Sequence, residues 1–240
     1  MHDIPERTRQ LLREVERMAG LHGRAPGSVT LVGISKTHPA RSIREAVNAG
    51  LRHVGESYVQ EALPKLAELA DLPVTWHFVG RLQANKTAAV AAAFDWVHGI
   101  DRLRVAERLD AQRPANKGPL ECCIEVNLGG ETDKGGVEPQ DLPALAAAVA
   151  GLPRLRLRGL MAIPPPAEDP REQRARFAVL RELLASLRTA HPGLDTLSMG
   201  MSGDMEAAIA EGATFVRIGT ALFGARAPRT READWGGKEQ

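Results

Sequence analysis

Apolar and polar positions along the chain switch between two patterns. Stretches with apolar residues three and four apart are separated by short blocks that are apolar almost throughout. Leu11, Val15 and Met18 recur at helical spacing among arginines and glutamates, and Gly20 and Gly23 close the segment, so a helix is expected over 5–22. A buried strand follows over 29–34, and the alternation then repeats. Strands are expected over 51–55, 75–79, 94–98, 120–128, 155–163, 196–199 and 215–218. Helices are expected around Ile43, Ala46 and Val47, then over 56–70, 84–93, 102–113, 141–150, 171–190 and 204–211. Val59, Ala62, Leu63 and Leu66 form the expected buried face of the 56–70 helix.

Eight strands, each but the last followed by a clear helix, specify a single (β/α)8 TIM-type barrel with an extra N-terminal helix. An open doubly wound sheet is the alternative. No stretch reads as an interdomain linker, and Pro164-Pro165-Pro166 is a stiff loop. The expected organisation is therefore one barrel domain over 1–224, including the 5–22 helix, and a polar tail over 225–240.

Composition narrows the function classes. The 240 residues carry 31 Lys+Arg against 30 Asp+Glu, a net charge of +1. Such balance argues against a nucleic-acid or membrane-surface partner. Aromatic residues are 4% of the chain, too few for a base-stacking platform. The two cysteines, Cys122 and Cys123, are adjacent; neighbours on a strand face opposite ways, so no disulfide is expected and a reducing compartment fits. The N-terminus lacks the apolar core of a signal peptide, and no run is long enough to span a membrane. A cytoplasmic protein is expected.

In a barrel the chemistry sits at the C-terminal ends of the strands. Lys36 follows the first strand, where partial desolvation lowers an amine's pKa and suits it to Schiff-base formation; the plain alternative is a solvated or ion-paired lysine. After the second strand, Glu56 or Ser57 is suited to capping the next helix. His77 lies inside the third strand, a common place for a hydrogen-bonded core histidine. Arg81 and Lys86 behind it can attract an anion or pair with acids on neighbouring loops. No His, Cys or Asp set has convincing metal spacing. The glycine-rich loop 127–136, with Lys134, matches neither common phosphate-binding glycine motif, and reads as a mobile lid or a second anion site.

The last two units carry the sharpest signal. Barrels frequently bind phosphate with the loops after strands seven and eight. Here those loops hold Ser202-Gly203 and Gly219-Thr220, hydroxyl donors beside glycines that let backbone N–H groups approach an anion. A lysine on one side of the mouth and a phosphate cradle on the other suit pyridoxal 5′-phosphate (PLP), which brings an aldehyde and a phosphate. Arg217, two residues before Gly219, shares its strand face and can place a guanidinium by the pyridine nitrogen, which would blunt the ring as an electron sink.

Five segments together resemble the pyridoxal phosphate homeostasis protein family. They are Gly33-Ile34-Ser35-Lys36-Thr37, the run from His77-Phe78-Val79-Gly80 to Lys86, Leu160-Met161-Ala162-Ile163-Pro164-Pro165, the run from Leu197 to Met205, and the run from Val216 to Gly224. The resemblance covers 29–224. It implies a barrel similar to the N-terminal domain of alanine racemase, with PLP as an internal aldimine on Lys36. It implies phosphate contacts from Ser202, Gly219 and Thr220 and an arginine, here Arg217, near the pyridine nitrogen; Ser57, His77 and Gly203 complete the candidate cofactor-binding set. It implies a carrier, buffer or regulator of PLP without established turnover, with PLP-dependent apo-enzymes as candidate partners; lacking the second domain that builds the racemase dimer, the chain is expected to be a monomer. The family usually reads Gly-Glu-Asn-Tyr where this chain has Gly55-Glu56-Ser57-Tyr58, and the shorter serine would reach the ring through a bridging water.

Two other readings are weighed. An amino-acid racemase needs acid/base groups on both faces of the substrate Cα, and Tyr58, the one tyrosine, would have to serve the second. A phosphate-sugar enzyme would use the cradle and leave Lys36 without a cofactor.

Overall fold

The structure is a computed structural model that describes residues 3–129 and 135–225. Lys134, the middle of the glycine loop and nearly all of the tail lie outside the described residues. Eight parallel strands pair in sequence order: β1 (Thr30–Ile34), β2 (His53–Glu56), β3 (Thr75–Phe78), β4 (Trp96–Ile100), β5 (Leu120–Glu125), β6 (Leu155–Met161), β7 (Thr196–Ser198) and β8 (Phe215–Ile218). Strand β8 pairs with β1, Val32 opposite Arg217, so the sheet is a closed barrel and the open-sheet alternative falls.

Helices α1 (Ile4–Leu21), α2 (Ala40–Asn48), α3 (Val59–Glu68), α4 (Thr87–Ala93), α5 (Leu103–Gln112), α6 (Leu142–Ala150), α7 (Pro170–Leu187), α8 (Met205–Ala210) and α9 (Thr220–Phe223) surround it. Helix α1 starts where the Asp3 carboxylate accepts from the Glu6 amide at 3.1 Å, with Pro5 in its first turn. It packs on α2, α8 and α9, covering the seam between the first and last units at the barrel's side. Arg24 fixes the following loop by donating to the Ile209 and Ala213 carbonyls at 3.2 and 3.1 Å.

Side-chain alternation along the strands produces two buried layers. The outer layer fills the space between strands and helices and includes Phe78, Val97, Cys122 and Ile124. The inner layer fills the barrel with Val32, Trp96, Cys123, Met161 and Phe215. The adjacent cysteines thus sit on opposite faces, both buried and free. Glycine is required at Gly159, where a Cβ would come within 1.9 Å of the Thr196 carbonyl oxygen and force β6 from β7.

Three boundaries differ from the sequence pattern for physical reasons. Helix α3 begins at Val59 after an uncapped Tyr58, so neither Glu56 nor Ser57 caps it. Glu56 instead ends β2 fully buried, bonded to Lys65 and Ser35. On α3, Leu63 is exposed while Lys65 turns inward. A 3₁₀ turn over Ala84–Lys86 precedes α4, held by Thr87 Oγ1 donating to the Ala84 carbonyl at 2.9 Å. Helix α9 has only four residues, too short to show a period. No helix among the described residues is long and apolar enough to cross a membrane.

Candidate functional site

The C-terminal ends of β1, β2, β7 and β8 meet around a cavity of ≈ 350 Å³. Seven of the eight sequence candidates line it: Lys36, Ser57, Ser202, Gly203, Arg217, Gly219 and Thr220. The eighth, His77, is fully buried inside the barrel and reaches this cavity only through other side chains. Ile34, Val79, Ile163 and Met201 supply apolar walls, and His38 stacks on Phe223 with ring centroids 5.4 Å apart.

Lys36 is presented by a constrained turn. Its neighbour Thr37 has φ 68°, the one non-glycine residue with positive φ among the described residues. Such a backbone costs a β-branched residue free energy and persists only where surrounding bonds hold it. Here the Thr37 amide donates to Glu61 Oε2 at 3.0 Å, and the His38 amide to the Ser35 carbonyl at 3.0 Å. Below the turn, Lys65 Nζ donates to Glu56 Oε1 at 2.7 Å and to the Ser35 carbonyl at 3.0 Å. Ser35 Oγ donates to the same Glu56 oxygen at 2.6 Å. A buried ion pair therefore anchors the strand end that carries Lys36. Sequence reasoning missed this network because Lys65 shows no sign, in a helical pattern, of turning inward.

Ser57 is set by a close approach of two loops. A Cβ at Gly80 would come within 2.3 Å of the Ser57 carbonyl oxygen, so the glycine after β3 lets the β2 loop lie against it. On the far side, Gly203 has nothing within 4 Å of where a Cβ would stand, which leaves open space beside Ser202. In α9 the Leu222 and Phe223 amides donate to the Gly219 carbonyl at 2.9 Å, while the Thr220 and Ala221 amides precede the first bonds of the helix.

Arg217 is the cavity's buried cation. Nη1 donates to Ser198 Oγ at 2.7 Å and Nη2 to the Ala162 carbonyl at 3.0 Å. Burial lowers its pKa to about 10, against the pull of Glu125 and Asp204, so it stays charged at neutral pH. Behind it runs a file of side chains through the barrel. His98 Nδ1 lies 2.8 Å from Ser198 Oγ, His98 Nε2 2.9 Å from His77 Nδ1, and His77 Nε2 2.9 Å from His53 Nδ1. One polarity satisfies all of them. Arginine only donates, so Ser198 accepts from it and gives its own hydrogen to His98; each imidazole then donates from Nε2 to the next Nδ1. The histidines are neutral in this arrangement. Burial and Arg217 hold His98 at about 3, and burial with neighbouring histidines holds His77 well below an ordinary imidazole. Among the described residues, no group of three His, Cys, Asp or Glu is placed to hold a metal ion.

A second cavity of ≈ 500 Å³ adjoins the first and shares Lys36, Ser57 and Val79 with it. Arg81, Gln83 and Lys86 lie on its other side.

Residues 10–227 match the family model described as alanine racemase, N-terminal domain. A pyridoxal phosphate homeostasis protein of Pseudomonas aeruginosa is 58% identical over 226 residues, covering 94% of this chain and 97% of that protein. The chain belongs to the pyridoxal phosphate homeostasis protein family. An Escherichia coli member is 51% identical over 232 residues, covering 94% of this chain and 98% of its own. PipY of Synechococcus elongatus, solved with PLP bound, is 45% identical with a TM-score of 0.77, covering 88% of this chain and 99% of that one. Alanine racemase from Corynebacterium glutamicum shares the fold at 16% identity and a TM-score of 0.68 over 92% of this chain and 59% of its own. The family thus keeps the barrel at about the length of this chain, whereas the racemase is a larger protein built on the same barrel.

Proposed function

We propose that this chain binds PLP at the mouth of the barrel and acts in PLP homeostasis, as a carrier, buffer or regulator rather than a catalyst. One observation carries the assignment of residues: a primary amine, a buried guanidinium and two hydroxyl-bearing loops converge on one cavity of ≈ 350 Å³. That volume suits a small cofactor. PLP would supply an aldehyde for an imine with Lys36. Ser202 and Thr220 would donate to the phosphate from the open side of Gly203, and Gly219 would let the chain come close. Arg217, fixed by Ser198 and Ala162, would keep a positive charge by the pyridine nitrogen and so disfavour its protonation. Ser57, seated on Gly80, would meet the ring through water. His77 would act from within the barrel through His98 and Ser198.

The racemase reading gains nothing from the geometry, since Tyr58 lies outside this cavity and is about half exposed. The near-complete coverage of PLP homeostasis proteins and the PLP in PipY support the carrier reading instead of the phosphate-sugar enzyme. We read residues 1–224 as the barrel unit and 225–240 as a polar tail, in a cytoplasmic monomer that passes PLP to apo-enzymes.

The deciding experiment is an absorbance spectrum of the protein incubated with PLP, then borohydride reduction and peptide mapping. A yellow protein with the pyridoxyl group on Lys36 is expected. A protein that stays colourless overturns the reading.

A further inference from the structure

We propose that the second cavity is a binding site for a small organic carboxylate, beside the PLP site and distinct from it. Arg81 and Lys86 both line it, and no acidic side chain is among the described residues that line it. Arg81 and Lys86 form no ion pair among the described residues, so the pairing with neighbouring acids that the sequence allows is not made. The field of Arg81 reaches Glu125, on β5, without an ion pair. Gln83 precedes the 3₁₀ turn without using its side chain as a cap, and its amide lines the same wall. Arg81 and Lys86, two cations in one concavity with no ion pair among the described residues, attract an anion. The rest of the lining selects its kind. Val79 and the edge of Val59 form an apolar side, which suits a carboxylate carrying a hydrocarbon chain better than a bare phosphate. The carboxylate would lie on Arg81 and Lys86, with Gln83 as a further donor and the chain along Val59 and Val79. Because Lys36 lines both cavities, an occupant here would stand next to the amine proposed to hold the cofactor.

The site itself does not need PLP, so the test uses cofactor-free full-length protein. Calorimetry would compare pentanoate, its uncharged analogue pentanamide, and inorganic phosphate. Pentanoate binding is expected, with pentanamide at least about tenfold weaker; phosphate, for which the first cavity holds the proposed cradle, is expected to bind without displacing pentanoate. Arg81→Gln and Lys86→Gln are each expected to weaken pentanoate by about tenfold, the loss of one charge-assisted contact. Both side chains are at least partly exposed, so both variants keep the fold, which circular dichroism would verify. Equal binding of pentanoate and pentanamide overturns the proposal, as does no binding, displacement of pentanoate by phosphate, or affinities unmoved in both variants. Borohydride labelling of Lys36 in the same variants keeps the two ideas apart: it is expected to persist in each, and its failure in the wild type would strike only the PLP reading.

Discussion

The mouth of the barrel and its interior solve opposite problems with polar side chains. At the mouth, Lys36, Ser202 and Thr220 line a cavity, where they would meet the proposed ligand. Inside, His77, His98 and Ser198 are fully buried, and their hydrogen-bonding capacity is spent on one another and on Arg217. Arg217 belongs to both regions, since it lines the cavity and ends the file. The comparison separates groups proposed to meet the ligand from groups that hold Arg217 in place. Mutations should therefore divide into those that abolish ligand chemistry at full stability and those that lower stability while ligand chemistry survives.

The largest effect belongs to the mouth. Lys36→Ala should abolish the reducible PLP adduct completely, with thermal unfolding close to wild type, because little core volume is lost. Mass spectrometry after borohydride reduction checks the first part and calorimetry the second. A labelled Lys36→Ala protein would move the covalent site elsewhere, and Lys65, bonded to the Ser35 carbonyl, and Lys86, which lines the adjoining cavity, are the amines to examine.

The interior should behave in reverse. His77→Leu leaves nitrogens of His53 and His98 without their partners, and should cost about 2–3 kcal/mol at neutral pH while Lys36 still labels. Acid sharpens the contrast. His98 is held at about 3 in the folded protein against 6.5 when free, and His77 is also held low. Their unfolded forms take up protons first, so stability is full above about pH 6.5 and falls as pH drops towards 3, by on the order of 1 kcal/mol per pH unit for each histidine. Urea unfolding at stepped pH should show this acid limb in the wild type and a shallower one in His77→Leu. Equal slopes would mean that the file is not the group that titrates.

The phosphate cradle predicts a smaller change. Ser202→Ala and Thr220→Val should each weaken PLP retention by about 1–2 kcal/mol, measured by competition with a PLP-accepting apo-enzyme. Unchanged retention in the double variant would displace the phosphate from this side of the mouth.

How legible each region was in the sequence follows the same division. The barrel was readable because eight apolar blocks alternate with helical periods, and Ser202-Gly203 and Gly219-Thr220 were readable because they follow strands seven and eight. The interior file was not. Each histidine comes from a different strand, and only closure of the sheet brings His53, His77 and His98 into line with Ser198, 100 residues from His98. The Lys65–Glu56 pair was hidden for a related reason. A helical pattern assigns lysine to solvent and leucine to the core, but a buried carboxylate at the end of β2 reverses that choice, drawing Lys65 in and leaving Leu63 exposed. Pattern reveals which residues are apolar; it is silent on which buried charge recruits a partner.

The smallest predicted effect asks what presents Lys36 to the mouth, a backbone or a side chain. Thr37 holds φ 68°, and its Oγ1 is buried with no hydrogen-bond partner. Asparagine enters the left-handed region more easily than a β-branched residue. Thr37→Asn should therefore raise stability by up to about 1 kcal/mol. The turn itself is fixed from outside the side chain, by Glu61 accepting from the Thr37 amide, so the backbone path to Lys36 should not change. Borohydride labelling of Lys36 should then proceed at the wild-type rate. If labelling slows while stability rises, the threonine side chain positions the lysine and the strained turn is part of the ligand machinery. If both stay at wild type, asparagine has gained nothing from the left-handed turn, and the strain assigned to Thr37 is too small to matter.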